Sequence, residues 1–203
     1  MIRSLSVREN IKFSADYRLP ASFSGHDCEL ATNQTLVDLG IEHVQHTAIG
    51  DEYSRGISGG QRKRVNIGIE MVADPSILFL DEPTSGLDST TATKLCITLK
   101  EIAEKRNMTI ASVIHQPSLA SFLVFDDLLL LGKGGQVVYH GPLKTASDYF
   151  SLVGFPTPSL CNPADFYLDI VSGECKREGF PDFVPADLFA LWEEYRTTSQ
   201  VSR

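Results

Sequence analysis

The sequence predicts an α/β fold, a partial parallel sheet flanked by helices, with an α-helical subdomain ahead of it. Three observations carry this. Ile77-Leu78-Phe79-Leu80 is a continuous apolar run of strand length that stops abruptly at Asp81-Glu82-Pro83, as expected of a buried parallel strand. Thr109 to Ile114 is a second β-like run and ends at His115. Between them Asp88 is a good N-cap for a helix whose face is Ala92, Leu95, Leu99, Ile102 and Ala103, because a short oxygen-bearing side chain satisfies free N–H groups at a helix start. Residues 77–114 therefore read as strand–helix–strand, a right-handed crossover between parallel strands.

Ahead of that unit, residues 27–39 carry Leu30, Leu36, Val37 and Leu39 with Gly40 following, a helix with a glycine stop. A polar loop over 45–57 leads to a Gly59-Gly60 turn. A second helix is predicted from Gln61 to about Ala73, with Val65, Ile69 and Val72 at helical spacing, broken by Pro75. Beyond the crossover, Leu128–Leu131 and Gln136–Tyr139 read as two strands joined by Gly132-Lys133-Gly134-Gly135, a hairpin signal. Residues 143–153 read as a helix stopped by Gly154, and 186–196 as an amphipathic helix serving as a linker.

Composition narrows the classes. Hydrophobic residues make up 42% and charged residues 22% of the chain, enough for a core and unlike a disordered chain. A net charge of −8 argues against a nucleic-acid module, which normally carries a basic face. None of Cys28, Cys96, Cys161 and Cys175 has C-x-x-C spacing, so they read as free cytosolic thiols. The most apolar stretch, Phe122–Leu131, is split by Asp126-Asp127 and is too short for a membrane span of roughly 20 residues. Arg3, Arg8, Glu9 and Asn10 interrupt any signal-peptide core.

Open α/β sheets bind ligands beyond the carboxyl ends of their strands. Asp81, Glu82 and His115 follow two strands that flank one crossover, so they converge at one edge. One carboxylate there suits Mg²⁺, which keeps most of its waters; the other suits an attacking water; the histidine suits a phosphate oxygen. Taken alone, Asp-Glu-Pro is also explained as a polar turn. Ser58-Gly59-Gly60-Gln61 opens a helix, and a helix N-terminus offers N–H groups to an anion. Arg62-Lys63-Arg64 lies near that positive end, an unfavourable placement that either an anion docking nearby or a solvated basic face explains.

These residues also carry a resemblance. Ile57-Ser58-Gly59-Gly60-Gln61 resembles the ABC signature motif, Ile77–Glu82 resembles Walker B with its catalytic glutamate, Ser85-Gly86-Leu87-Asp88 the D-loop, and His115 in Ile114-His115-Gln116-Pro117-Ser118 the switch histidine. Order and spacing fit the family. Gly59–Val65, Val138-Tyr139-His140-Gly141-Pro142 and Asn162-Pro163-Ala164-Asp165-Phe166 are similar to the G subfamily, best to its White-brown type half-transporters. The resemblance covers about residues 5–173. It implies a P-loop NTPase-like ABC ATPase core, with ATP and Mg²⁺ as cofactors. By it, Asp81 would hold Mg²⁺ through water, Glu82 would be the general base for water attacking the γ-phosphate, and His115 would contact that phosphate. Ser58, Gly59, Gly60 and Gln61 would meet ATP held by a partner domain, and Asp88 would couple the two sites.

The resemblance further implies a partial nucleotide-binding domain over 1–173, with the helical subdomain and signature at about 7–73 and Walker B onward at 74–173. Residues 174–203 would be a linker toward a transmembrane domain. No G-x-x-x-x-G-K-[ST] occurs, since Gly132-Lys133 is followed by Gly134 and position 127 is Asp. Ser6–Ile11 resembles the segment just past the Q-loop. Part of the strand 77–80 surface is thus expected to lack a neighbour. Implied partners are a second nucleotide-binding domain and a transmembrane domain, with no nucleic acid. The implied location is the cytoplasmic face of a membrane and the implied work is export of lipids or other hydrophobic compounds. Alternatives are a catalytically incomplete fragment that donates only its signature, or a non-transport ABC ATPase.

Overall fold

The computed structural model describes residues 1–51, 56–179 and 181–201; residues 52–55 of the expected polar loop lie outside them. The chain divides into two compact units, Met1–His115 and Gln116–Arg203. The first unit opens with α1 (Val7–Arg18) and α2 (Gly25–Asp38), followed by α3 (Gly59–Met71). Serines cap all three starts in the same way. Ser6, Ser24 and Ser58 each accept a bond from the backbone N–H three residues on, and the side chains of Glu9, Asp27 and Gln61 bond back to the cap N–H. Two free donors are satisfied at each start. The bonds from Ser6 and Ser24 also hold the Glu9 and Asp27 carboxyls below their ordinary range. Gly59 and Gly60 are therefore the first helical residues of α3, where the sequence suggested a turn. The Ser58 hydroxyl accepts from the Gln61 N–H and not from either glycine.

Helix α1 has no clear apolar period because its buried stripe includes Asn10 and Ser14. Both are satisfied: Asn10 Nδ2 donates to the Ile2 and Ser6 carbonyls at 3.0 and 2.9 Å, and Ser14 Oγ to the Ile69 carbonyl at 2.7 Å. Gly68 lets α3 lie close to α1 and α2. A Cβ there would stand 2.9 Å from Leu39 Cδ1 and 3.1 Å from Ile11 Cδ1.

The predicted crossover follows as β1 (Ile77–Asp81), α4 (Ser89–Arg106) and β2 (Thr109–Val113). The strands pair in parallel, Ile77 opposite Thr109 through Asp81 opposite Val113. Leu78, Leu80 and Ile110 pack into the cluster containing Val65, Met71, Leu95, Leu99 and Ile102. The opposite face of the pair is bare. Ile77 is 54%, Phe79 79% and Val113 65% exposed. The apolar run alone suggested a strand buried on both faces, and that is corrected: alternate side chains point to opposite faces, and among the described residues helices cover only one. The expectation that part of the strand 77–80 surface lacks a neighbour agrees with this exposure.

Asp38, with a side chain 1% exposed, ties the end of α2 to the end of α4. It accepts from Lys105 Nζ at 2.6 Å, from Arg106 Nε and Nη2 at 2.8 and 2.6 Å, and from Gln34 at 2.7 Å. Burial pushes the carboxyl up, but these donors outweigh it and hold it below the usual range.

The second unit is built on an antiparallel hairpin, β3 (Asp127–Leu131) and β4 (Val137–Pro142), with short α5 (Leu119–Phe122) before it. Helices α6 (Leu143–Leu152), α7 (Pro163–Ser172) and α8 (Asp187–Val201) follow. Tyr139, Tyr149 and Trp192 meet with centroids 5.3–5.4 Å apart, and Phe150 stacks on Tyr167 at 4.4 Å. Such ring contacts add to the gain from area alone. The helix expected to act as a linker contributes Leu188 and Trp192 to this core. Among the described residues no helix is long and apolar enough to cross a membrane, and none of the four cysteines is in a disulfide.

Two stability tests follow from this packing. Leu78→Ala should cost about 2–4 kcal/mol, while Phe79→Ala should cost well under about 1 kcal/mol, because only Leu78 leaves a cavity. Urea unfolding of both variants reads the contrast, and equal losses would mean that the bare face is covered in solution. Asp38→Asn should cost about 3 kcal/mol at pH 7 by leaving Arg106 and Lys105 without their carboxylate. The folded-state pKa is depressed, so this stabilisation is fully present above the unfolded value near 3.9 and is lost as pH falls through the lower folded one. The gap between the two proteins should therefore close in acid. A gap that persists unchanged at pH 2 would rule out the ion pairs as its source.

Candidate functional site

The carboxylates stand at the carboxyl end of β1. Asp81 is its last residue, opposite Val113 of β2, and is exposed. Glu82 follows with φ 46°, a left-handed conformation that costs a non-glycine residue energy. The residue before a proline is restricted further, and Pro83 follows. Three hydrogen bonds hold it. Its N–H donates to the Val113 carbonyl at 2.9 Å, and its carbonyl accepts from Ser85 N–H at 3.2 Å and Lys63 Nζ at 3.0 Å. The Glu82 carboxylate therefore leaves the strand end from a fixed backbone while its side chain faces solvent. His115 lies two residues past the end of β2 and is also exposed. Parallel register thus brings Asp81, Glu82 and His115 to one end of the strand pair.

Ser58, Gly59, Gly60 and Gln61 form the N-terminus of α3. Gln61 Oε1 accepts from Ser58 N–H at 2.9 Å, and Gln61 Nε2 lies 3.2 Å from His43 Nε2. Both ends of that side-chain amide are thus engaged within the chain. The two glycines differ. A Cβ on Gly60 would stand 2.9 Å from Thr91 Cγ2, whereas one on Gly59 would meet nothing within 4 Å. Gly60 is favoured by packing against the start of α4; among the described residues Gly59 has no contact that demands glycine.

Asp88 caps α4, accepting from Thr91 N–H at 3.0 Å and Thr91 Oγ1 at 2.6 Å. Those two bonds, the hydroxyl's first, lower its pKa. Gly86 reaches φ 77° in the turn before it, a conformation open to glycine at no steric cost. Thr91 touches Asp88 and borders Gly60, so the start of α4 and the start of α3 are neighbours.

The basic triplet answers the question left by the sequence. Lys63 donates to the Glu82 carbonyl. Arg64 Nη1 donates to the Leu39 carbonyl at 2.8 Å and to Thr98 Oγ1 at 3.2 Å, and burial lowers its pKa. Arg62 makes a long contact of 3.5 Å with the Ile49 carbonyl. These cations clamp α3 to four surrounding segments rather than forming a solvated face. Neither the Lys63 contact nor the His43 contact was legible beforehand, because both partners are distant in sequence. The Ser58…Gln61 box was legible as S-x-x-Q.

A cleft of about 320 Å³ runs past Asp81, lined also by Lys63, Glu70, Phe79 and Pro83. Among the described residues no three His, Cys, Asp or Glu side chains gather to hold a metal. A single exposed carboxylate suits a cation that takes its remaining ligands from water and phosphate, the habit of Mg²⁺.

Comparison with known proteins agrees with this geometry. The ABC transporter family model matches residues 1–85, and the ABC-2 type transporter model matches residues 115–199. ABC transporter G family member 28 of Arabidopsis thaliana is 47% identical over 173 residues, 85% of this chain and 16% of that protein. The broad substrate specificity ATP-binding cassette transporter ABCG2 of Mus musculus is 46% identical over 171 residues, 84% of this chain and 26% of that protein. The chain thus spans about a sixth to a quarter of the length of these relatives. Among solved structures, cbiO1 from Clostridium perfringens, part of the ABC transporter complex cbiONQ, superposes with a TM-score of 0.57 at 25% identity, over 81% of this chain and 61% of that one. With strands, carboxylates and α3 arranged as described, these matches show that the chain belongs to the ABC transporter family, as a segment with the ABC ATPase core fold whose relatives are its G-subfamily, white-brown type members.

Proposed function

We propose that the chain forms part of the ATP-binding and ATP-hydrolysing domain of a transporter that exports lipids or other hydrophobic compounds across a membrane. The observation that carries this reading is the strained Glu82 backbone, held by three bonds at the carboxyl end of a parallel strand pair beside Asp81. Strain maintained at a ligand-binding strand end points to chemistry there. Glu82 is the general base that takes a proton from the attacking water. Asp81 would hold Mg²⁺, which would supply charge neutralisation on the phosphates. His115 orients a phosphate oxygen. Ser58, Gly59, Gly60 and Gln61 face nucleotide on a second nucleotide-binding domain, and Asp88 lies where the two sites would communicate. The partners are that second domain and a transmembrane domain, at the cytoplasmic face. The match to an ABC-2 type transporter model favours transport over a non-transport ATPase.

Two variants test this reading when placed in the full-length protein carrying this segment. Glu82→Gln should lower ATP turnover roughly a hundredfold or more while MgATP still binds; unchanged turnover would rule out Glu82 as the general base. Gly59→Arg should abolish turnover. It should leave the urea midpoint of the domain and its ATP binding as a monomer intact, since among the described residues nothing lies within 4 Å of a Cβ at that position. Loss of monomer binding would show that Gly59 serves its own domain's nucleotide.

A further inference from the structure

We propose that Lys63 is a positioning residue for Glu82, tying the α3 start that carries Ser58–Gln61 to the carboxylate that follows β1. The proposal rests on the function proposed above. Lys63 stands two residues beyond Gln61, on the same rigid helix, and its ammonium donates to the Glu82 carbonyl at 3.0 Å. That carbonyl belongs to a residue at φ 46° that precedes Pro83, so the peptide it ends is held against a steric penalty. Pro83 has no N–H with which to stiffen the turn. Besides Lys63, the Glu82 carbonyl accepts only from Ser85 N–H, at the longer 3.2 Å, among the bonds of the described residues. A charge-assisted bond is the stronger of the two kinds.

The consequence is a mechanical link inside one chain. The start of α3 serves a nucleotide on the partner domain, and Glu82 serves the nucleotide of its own. A shift of α3 when its N-terminus engages phosphate moves Lys63 and, through the carbonyl, the peptide that aims Glu82. Lys63 and Asp81 also line one cleft, so the link runs beside the residue that holds the metal. Lys63 acts through Glu82, whose carbonyl its ammonium meets.

The test uses the full-length protein carrying this segment, with Lys63→Met and Lys63→Arg beside Glu82→Gln. Lys63→Met should lower kcat about tenfold, the equivalent of roughly 1.4 kcal/mol of barrier. KM for MgATP, equilibrium ATP binding and the melting temperature should stay unchanged. Lys63→Arg, which keeps a charged donor, should restore most of the rate. Unchanged kcat in Lys63→Met overturns the proposal, as does a loss that Arg fails to rescue or one that tracks a fall in melting temperature. If the wild-type protein hydrolyses no ATP, or Glu82→Gln does, the functional reading has failed instead. The link is then read from amide exchange at Ser85: at least tenfold faster exchange in Lys63→Met supports it, and unchanged exchange overturns it.

Discussion

The carbonyl oxygen of Glu82 is where helix and strand meet. It accepts from Lys63 on α3 and from Ser85 in the turn leading to α4, while the N–H of the same residue is bound to β2. A single residue, through the two peptide groups that flank its Cα, thus receives constraints from three elements. It does so in a left-handed conformation that an isolated chain would leave at once. Remove any of those elements and the carboxylate would sample the solvent freely, because the Glu82 side chain has no burial to restrain it.

Helix α3 supplies the other half of the constraint. Gly68 lets α1 and α2 approach it, and Gly60 lets the start of α4 approach it. Arg64 reaches both the end of α2 and Thr98 of α4. A helix gripped on so many sides moves as a body, so the groups at its exposed N-terminus are placed by the core. The unfavourable charge near that end is offset locally, since each cation of the triplet is turned to a carbonyl oxygen. The packing is one-sided, however. The face of the strand pair that carries Ile77, Phe79 and Val113 has no cover among the described residues, and this is the least finished surface of the first unit.

Much of this was legible in the sequence because it depends on near neighbours. The strand–helix–strand unit, the Asp88 cap and the hairpin between β3 and β4 follow from local period and punctuation. Helix α1 did not, because Asn10 and Ser14 sit on its buried side and break the apolar stripe; tertiary hydrogen bonds make them acceptable there. Helix α7 was not read either, although Ala164, Phe166, Tyr167 and Ile170 are its buried residues and Asn162 before Pro163 is a regular start signal. The exposed face of β1 could not be read from its apolar run, since a run of four apolar residues specifies a strand and says nothing about which faces are covered.

For the site, the sequence by itself determined which groups stand at the strand ends and at the start of α3. Motif spacing and chain order decide that, and both are linear properties. Only the tertiary structure decided that Lys63 and not solvent meets the Glu82 carbonyl. It likewise decided that His43 meets Gln61, and that Gly60 is packed while Gly59 is open. Those contacts join residues 18 or more positions apart. Their distances depend on how α3 lies across β1 and α4, and no local pattern encodes that.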